Sequence, residues 1–294
     1  MDPLIEWGYG VILSLQALRT PFGDALFQML TFLGVEEFYL VLVPFLYWMV
    51  DKRLATRLAV LFLLSAYLNS LLKDLFGQPR PSAERVVVLD DLETGGMPSG
   101  HAQNAVVSWL FLAAQRRENW IHWAMVALVL GISLSRIYLG AHFPHDVAAG
   151  WLVGAAILLL YYALALRVER WLAGQTMLAQ MVAGAAAALL LILLYREESA
   201  LNAMATLFGI AVGVPLERAR VAFATRGVDA ARLAARFVLG LVVALLIWRG
   251  LRPVLLPLDA VGAFVRYGLL GLWVAVGAPW LFVRAGLARR EVPA

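Results

Sequence analysis

The sequence predicts an all-α bundle of membrane-spanning helices, and three observations predict it. Of its 294 residues, 62% are hydrophobic and only 15% are charged. Soluble domains run at about 45–50% apolar and about 25% charged. The mean hydropathy is +0.79, which leaves too little polar surface to cover one water-soluble core. The apolar residues also come in runs of roughly 20, the length that crosses a hydrocarbon layer about 30 Å thick. The expected architecture is polytopic, with about eight or nine spans.

Residues 4–18 and 21–33, parted by Arg19-Thr20-Pro21, read as a further helix or an interfacial hairpin. Spans are expected near 36–50, 54–76, 101–115, 120–140, 146–166, 177–195, 199–216, 233–250 and 260–283. The first and third are short for a full crossing. Lys52, Arg53 and Arg57 follow the first span, Arg116 and Arg117 the third, Arg167 and Arg170 the fifth. Arg218, Arg220, Arg226, Arg232 and Arg236 follow the seventh, and Arg284, Arg289 and Arg290 close the chain. If the spans alternate, all these lie on one side, and the positive-inside bias makes that side cytoplasmic. Loops 77–98 and 141–145 then face outward. A multi-pass inner or plasma membrane protein is expected, with its functional residues on the extracytoplasmic side.

Cysteine is absent, which excludes disulfides and thiolate metal sites. Met1–Glu6 lacks the basic region and small-residue cleavage site of a signal peptide, so insertion is expected to be driven by the helices themselves. The formal charge of +4 does not point to nucleic acid, because the arginines punctuate apolar spans instead of lining one face. The character of the chain changes near 170–175. Residues 1–172 concentrate polar side chains at outward span ends. Residues 173–294 are rich in Ala, Leu and Val, with arginines at span ends.

Three segments at outward span ends carry chemistry. They are Lys73-Asp-Leu-Phe-Gly-Gln-Pro-Arg80-Pro81, Pro98-Ser99-Gly100-His101 and Ser135-Arg136-Ile-Tyr-Leu-Gly-Ala-His142-Phe-Pro-His145-Asp146. An unpaired Arg or Lys at membrane depth costs roughly 2.5–3.5 kcal/mol on insertion scales, so such cations carry a partner or a function. Lys73, Arg80 and Arg136 converging from different spans make a site for a multiply charged anion. Arginine's planar fork matches phosphate oxygens, and lysine adds a point charge. Ser99 is expected to cap the third span, with Gly100 permitting close approach and the helix N–H groups favouring phosphate. His142 and Asp146 lie four apart, with Pro144 tolerated in the first turn of the next span. A carboxylate beside an imidazole fixes its tautomer and primes the other nitrogen as nucleophile. Two histidines beside a cation cage suggest that one attacks phosphorus while the other protonates the leaving oxygen.

These residues resemble the type 2 phosphatidic acid phosphatase superfamily. Its signature is a Lys, six residues and Arg-Pro; a Pro-Ser-Gly-His; and a Ser-Arg, five residues, His, three residues and Asp. All three parts occur here in order over residues 73–146. The resemblance implies that His142 is the nucleophile that becomes a phosphohistidine, oriented by Asp146, and that His101 is the general acid. It implies that Lys73, Arg80, Ser99, Gly100 and Arg136 hold the phosphate, with no metal or other cofactor. Members include lipid phosphatases, glucose-6-phosphatase and vanadium-dependent haloperoxidases. Residues 27–150 look closest to the membrane lipid-phosphatase branch, with some likeness to sphingosine-1-phosphate phosphatases. The family core has six helices, so the spans after about 175 are additional and their role is not covered by the motifs.

Plainer readings exist for single residues. Lys73, Arg80 or Arg136 alone would pass as a snorkelling anchor; as a set at these spacings, the motif decides. His142-Phe-Pro-His145-Asp146 lacks the further ligands that a tetrahedral metal site needs, and His145 reads as a loop residue lining the entrance. His122 reads as interfacial, Arg232 and Arg236 as cytoplasmic anchors, and Asp90, Asp91 and Glu93 as solvated loop acids. Asp74 neighbours Lys73 and can pair with it locally. Asn69, one turn before Lys73, faces the same way and can hydrogen-bond within the site. The expected substrate is a lipid phosphate, a phosphomonoester or diphosphate, with the bilayer as the other partner. The outward-facing site favours a polyprenyl diphosphate carrier such as undecaprenyl diphosphate and leaves phosphatidate, phosphatidylglycerophosphate and sphingoid-base phosphates open. A flippase that retains the phosphate site, or a phosphotransferase that uses the same intermediate, are the rival readings. The intact nucleophile, acid and orienting aspartate argue against a mere binder.

Overall fold

A computed structural model describes residues 2–90 and 94–291, and among them the regular structure is helical. The helices, in chain order, are α1 (Pro3–Gln16), α2 (Pro21–Phe32), α3 (Glu36–Phe45), α4 (Lys52–Phe76), α5 (Gly100–Ala105), α6 (Asn119–Tyr138), α7 (Pro144–Ala173), α8 (Met177–Leu194), α9 (Glu198–Leu216), α10 (Ala230–Leu245), α11 (Arg252–Leu255), α12 (Asp259–Leu272) and α13 (Ala278–Arg284). Helices α3, α5, α9, α10 and α12 each run on into a π turn.

Local chemistry sets the starts. Asp2 accepts from Leu4 N ahead of Pro3, and Thr20 accepts from Gly23 N ahead of Pro21. Thr176, Glu197 and Asp229 cap α8, α9 and α10 in the same way, each satisfying an N–H that the helix itself leaves unpaired. Helix α8 buries only Ala188 while apolar all round, as a span surrounded by lipid would be.

Six helical stretches are long and apolar enough to cross a membrane, or up to seven if the bent pair α2–α3 counts as one. The all-helical polytopic bundle is therefore as expected, but the count of eight or nine is not reached on these terms. The reasons are local. The expected span at 101–115 is a short helix that widens into a π turn at Val106–Leu110. Pro21–Phe32 and Glu36–Val50 meet at a 54° bend. The stretch Ala230–Arg284 folds back on itself, since Trp273 Nε1 donates to Gly240 O and Arg266 Nη1 to Trp248 O. Helix α7 runs past the expected end at 166, so Arg167 and Arg170 lie within it.

The chain forms two compact units: Met1–Tyr39 with Leu68–Ala163, and Leu40–Tyr67 with Leu164–Ala294. In the first, Tyr9, Ile12, Val86 and Phe143 form a core cluster, with Phe143 packed edge-on against Tyr9. In the second, α9 and α12 touch backbone to backbone. A Cβ on Gly209 would lie 2.2 Å from Gly268 O, and one on Gly271 2.3 Å from Thr206 O. Small residues at helix interfaces allow this approach, which supplies the packing that drives association within a bilayer. Trp48, Phe223 and Phe282 centre a further cluster of this unit. Arg57 and Arg53 both clasp Glu169 at 2.6 Å.

Candidate active site

All three motif segments belong to the first unit, and the backbone explains how they meet. Helix α4 ends at Phe76, where Gly77 donates to Lys73 O and adopts φ +58°, a left-handed cap that glycine takes without a Cβ penalty. The chain then reverses and delivers Arg80. Helix α6 ends in the same manner. Gly140 has φ +70°, and a Cβ there would sit 2.3 Å from Val87 O. This turn hands His142 to the start of α7. Ser99 N donates to Asp146 O at 2.9 Å, and a Cβ on Gly150 would lie 2.6 Å from Ser99 O. The starts of α5 and α7 are thereby held together, and the second and third motifs with them.

Asn69 hydrogen-bonds within this cluster. Its Nδ2 donates to Pro98 O at 3.1 Å and to Gln103 Oε1 at 2.9 Å. Gly100 lies against it, since a Cβ there would meet Asn69 Oδ1 at 2.8 Å. The close approach expected of Gly100 is thus made to a side-chain amide. Ser99 takes the N-cap position, but its hydroxyl makes no cap bond.

His142 is 1% exposed and Asp146 fully buried. Arg80 Nη1 lies 3.1 Å from His142 Nε2 and donates also to Ala141 O at 2.7 Å. A guanidinium can only donate, so Nε2 presents its lone pair and the ring proton sits on Nδ1. That nitrogen faces Asp146 Oδ2 at 3.4 Å. The carboxylate is itself aimed by Phe143 N, which donates to Oδ2 at 2.9 Å, and by Gln78 Nε2, which donates to Oδ1 at 3.2 Å. Burial holds the His142 imidazole well below its ordinary value of 6.5, and Arg80, Arg136, Lys73 and His101 reinforce that direction.

Arg136 is fully buried. Its Nη1 donates to Thr31 Oγ1 and to Asp90 Oδ2, the latter at 2.6 Å. Its Nε and Nη2, with Ser99 Oγ and His101 Nε2, are buried without a hydrogen-bond partner among the described residues. Buried polar groups are ordinarily paired, and this set has the composition that receives an oxyanion. Lys73 Nζ and Arg80 Nη2 share Thr94 Oγ1 at 3.0 and 3.1 Å. A cavity of about 490 Å³ opens beside them, lined by Lys73, Gln78, Arg80 and Gly95 among others.

Two expectations need correction. Asp90 is not a solvated loop acid, because it pairs with buried Arg136. His145 is more than an entrance residue, because its Nε2 contacts Gln78 and lies 3.5 Å from Asp146 Oδ1, with its ring stacked on Phe143. Asp91 and Glu93 lie outside the described residues. Sequence reasoning also missed Thr31, Gln78 and Thr94, and Gly34, on which a Cβ would meet His101 Cδ2 at 2.7 Å. For Gln78 a signal existed, since it lies inside the first motif segment. The others come from segments without motif spacing.

Fold and site together define a multi-pass membrane protein built around a histidine and cation cluster suited to a phosphate group. The PAP2 superfamily model matches residues 54–170, and the model for the transmembrane extension of PAP2 superfamily phosphatases matches 201–290. Together they span well over half of the chain, and it belongs to the PAP2 superfamily. Human sphingosine-1-phosphate phosphatase 2 is 34% identical over 145 residues, covering 47% of this chain and 36% of that protein. The lipid A 4'-phosphatase of Bacteroides thetaiotaomicron is 34% identical over 105 residues, 33% of this chain and 47% of that one. The chain therefore spans less than half the length of these relatives. The crystal structure of the first transmembrane PAP2 type phosphatidylglycerolphosphate phosphatase from Bacillus subtilis is similar at a TM-score of 0.49 and 21% identity, covering 58% of this chain and 90% of that one.

Proposed function

We infer that this chain is a lipid phosphate phosphatase that works through a phosphohistidine on His142, without a metal. His142 Nε2 attacks phosphorus, the bond from phosphorus to the lipid oxygen breaks, and His101 gives that oxygen a proton. Water then attacks the phosphohistidine, His101 takes its proton, and the P–N bond breaks to release inorganic phosphate. Asp146 keeps the proton on Nδ1 throughout. Arg80, Arg136, Lys73, Ser99 and Gly100 hold the phosphate and stabilise its equatorial oxygens. The observation that carries this reading is the Arg80 contact at 3.1 Å to His142 Nε2, opposite Asp146, amid buried donors that lack partners among the described residues.

Residues 1–172 form the phosphatase core in this reading, and 173–294 are additional spans. The site faces the extracytoplasmic side of the cell membrane. The relatives' names favour lipid phosphomonoesters, such as sphingoid-base phosphates or lipid A, ahead of the diphosphate carrier. Head-on tests are direct. Purified wild type and His142→Ala, in detergent with EDTA, are given sphingosine-1-phosphate, phosphatidate, phosphatidylglycerophosphate and undecaprenyl diphosphate. Phosphate release by wild type alone, with an acid-labile phosphoenzyme trapped by rapid quench, is the expected result. Release that EDTA abolishes, or that His142→Ala retains, would overturn it.

A further inference from the structure

The second unit holds a separate cavity of about 310 Å³ whose lining includes Arg196, Arg252 and Arg266 together with Glu198 and Asp259. The three cations come from three places: the turn before α9, the first residue of α11, and the body of α12. Among the described residues no ion pair joins any of these arginines to either acid, and the side chains of Arg196 and Arg252 make no hydrogen bond. Arg266 is steered by Trp248 O at 3.2 Å, with its guanidinium 4.7 Å from the Tyr267 ring centre.

The walls are built to stay in place. A Cβ on Gly262 would lie 1.9 Å from Leu255 O, so α11 rests directly on α12. Asp259 turns the chain into α12 with φ +46°, a backbone conformation that a non-glycine residue adopts at a cost. Around the cavity Val254, Leu256, Leu258 and Val261 are all more than half exposed. The cavity also lies at span ends, where Met177–Leu194 gives way to Glu198–Val221. Charged groups there meet the headgroup layer, and the exposed apolar rim meets acyl chains.

We propose that Arg196, Arg252 and Arg266 bind the phosphodiester of a bilayer phospholipid, with Glu198 and Asp259 receiving the hydroxyl or ammonium of its headgroup. The two carboxylates decide against a bare phosphate, for which three arginines alone would serve better. Planar guanidinium groups take the two free phosphodiester oxygens, and the carboxylates accept from donors beyond the phosphate. The apolar rim decides for a lipid over a soluble anion. This is a binding site and not a second catalytic one, since the cavity lining contains no Ser, Thr, Lys or His side chain.

The test uses the full chain in detergent and native mass spectrometry. Phosphatidylglycerol, phosphatidylethanolamine and diacylglycerol are titrated in turn, with glycerol phosphate as the water-soluble arm. Wild type and Arg136→Gln should each hold one tight phospholipid that the triple variant R196Q/R252Q/R266Q binds about tenfold more weakly, roughly 1.4 kcal/mol. The charge-matched control R218Q/R220Q/R226Q should retain it. Arg252→Gln alone, at an exposed position, should weaken binding measurably and guards against misfolding of the triple variant. Equal binding of diacylglycerol, equal binding of glycerol phosphate, or retention by the triple variant would each overturn the proposal.

Discussion

Arg136 in the first unit and Arg236 in the second are both fully buried, and both stand near span ends in the sequence. Their partners separate them. Arg236 gives Nη1 to Ala224 O at 3.2 Å and Nη2 to Thr225 O at 2.8 Å, with Met49 Sδ at 3.9 Å. It closes off carbonyls that no helix satisfies, and it is a structural residue, not the cytoplasmic anchor expected beside Arg232. Arg232 itself is half-exposed and pairs with Asp229 at 3.4 Å. Among the described residues Arg136 engages a partner only through Nη1 and leaves both Nε and Nη2 without one, whereas Arg236 leaves Nε alone. A buried arginine that answers backbone carbonyls holds a fold together; one that keeps donors idle beside a histidine marks a site.

Substitution should split the pair most sharply. Arg136→Gln is expected to lower kcat/KM by about 10²–10³-fold, the usual loss for one donor to a developing oxyanion, with little change in melting temperature. Arg236→Gln is expected to do the reverse, keeping activity per folded molecule. It strands carbonyls that each cost about 1–3 kcal/mol when buried and unpaired, read as a lower melting temperature in detergent. Equal thermal loss in both variants would erase the distinction.

The same comparison fixes a pH dependence. The His142 value is depressed well below 6.5 by burial first and by the surrounding cations second. A base with a depressed value is already neutral at pH values where an ordinary histidine is charged. The acid limb of kcat/KM, which reports the free enzyme, should therefore be complete before pH 6.5. Removing one neighbouring cation by Lys73→Met should move the acid limb upward, because part of what disfavours the second proton is gone. An acid limb centred at 6.5 or above in wild type, or one that Lys73→Met moves downward, would contradict the geometry.

Much of this site was legible because its motifs combine spacing with residue type. Lys73 and Arg80 bracket one helix end, and His142 and Asp146 bracket one turn. Local geometry therefore follows from sequence distance. What lay hidden depends on contacts between segments far apart in the chain. Thr31 reaches Arg136 across 105 residues and Asp90 across 46, and nothing in either local sequence marks it. The helices were legible for a similar reason, since apolar runs and N-cap residues are local signals. The bend between α2 and α3 and the π turns were not, because they answer to packing. In the second unit the sequence is dominated by Ala, Leu, Val and arginine, and spacing alone does not distinguish a buried Arg236 from an exposed Arg232.

Asp90 tests how far the first unit's cations are already engaged. Its carboxylate lies 2.6 Å from Arg136 Nη1, so an incoming phosphate meets a like charge on the arginine that should receive it. Asp90→Asn keeps an acceptor oxygen for Arg136 while removing that charge. The expected outcome is a lower KM for the lipid and tighter inhibition by inorganic phosphate, each by up to about tenfold, roughly 1.4 kcal/mol, with kcat little changed. A higher KM would instead mean that Asp90 positions Arg136 for the substrate.

The smallest expected effect concerns the outer side of Asp146. Gln78 Nε2 holds Oδ1 at 3.2 Å, and His145 Nε2 stands 3.5 Å from the same oxygen. They leave Oδ2 to His142 and to Phe143 N. Neither touches the atom that would attack phosphorus, so both act through the carboxylate. Gln78→Ala removes a single neutral donor, a contribution of about 0.5–1.5 kcal/mol. That corresponds to about two- to tenfold in kcat, with KM nearly unchanged. A change in KM alone would place Gln78 on the substrate, since it also lines the cavity beside Lys73 and Arg80. A fall in kcat with a shifted acid limb would place it behind Asp146, as the hydrogen bonds indicate.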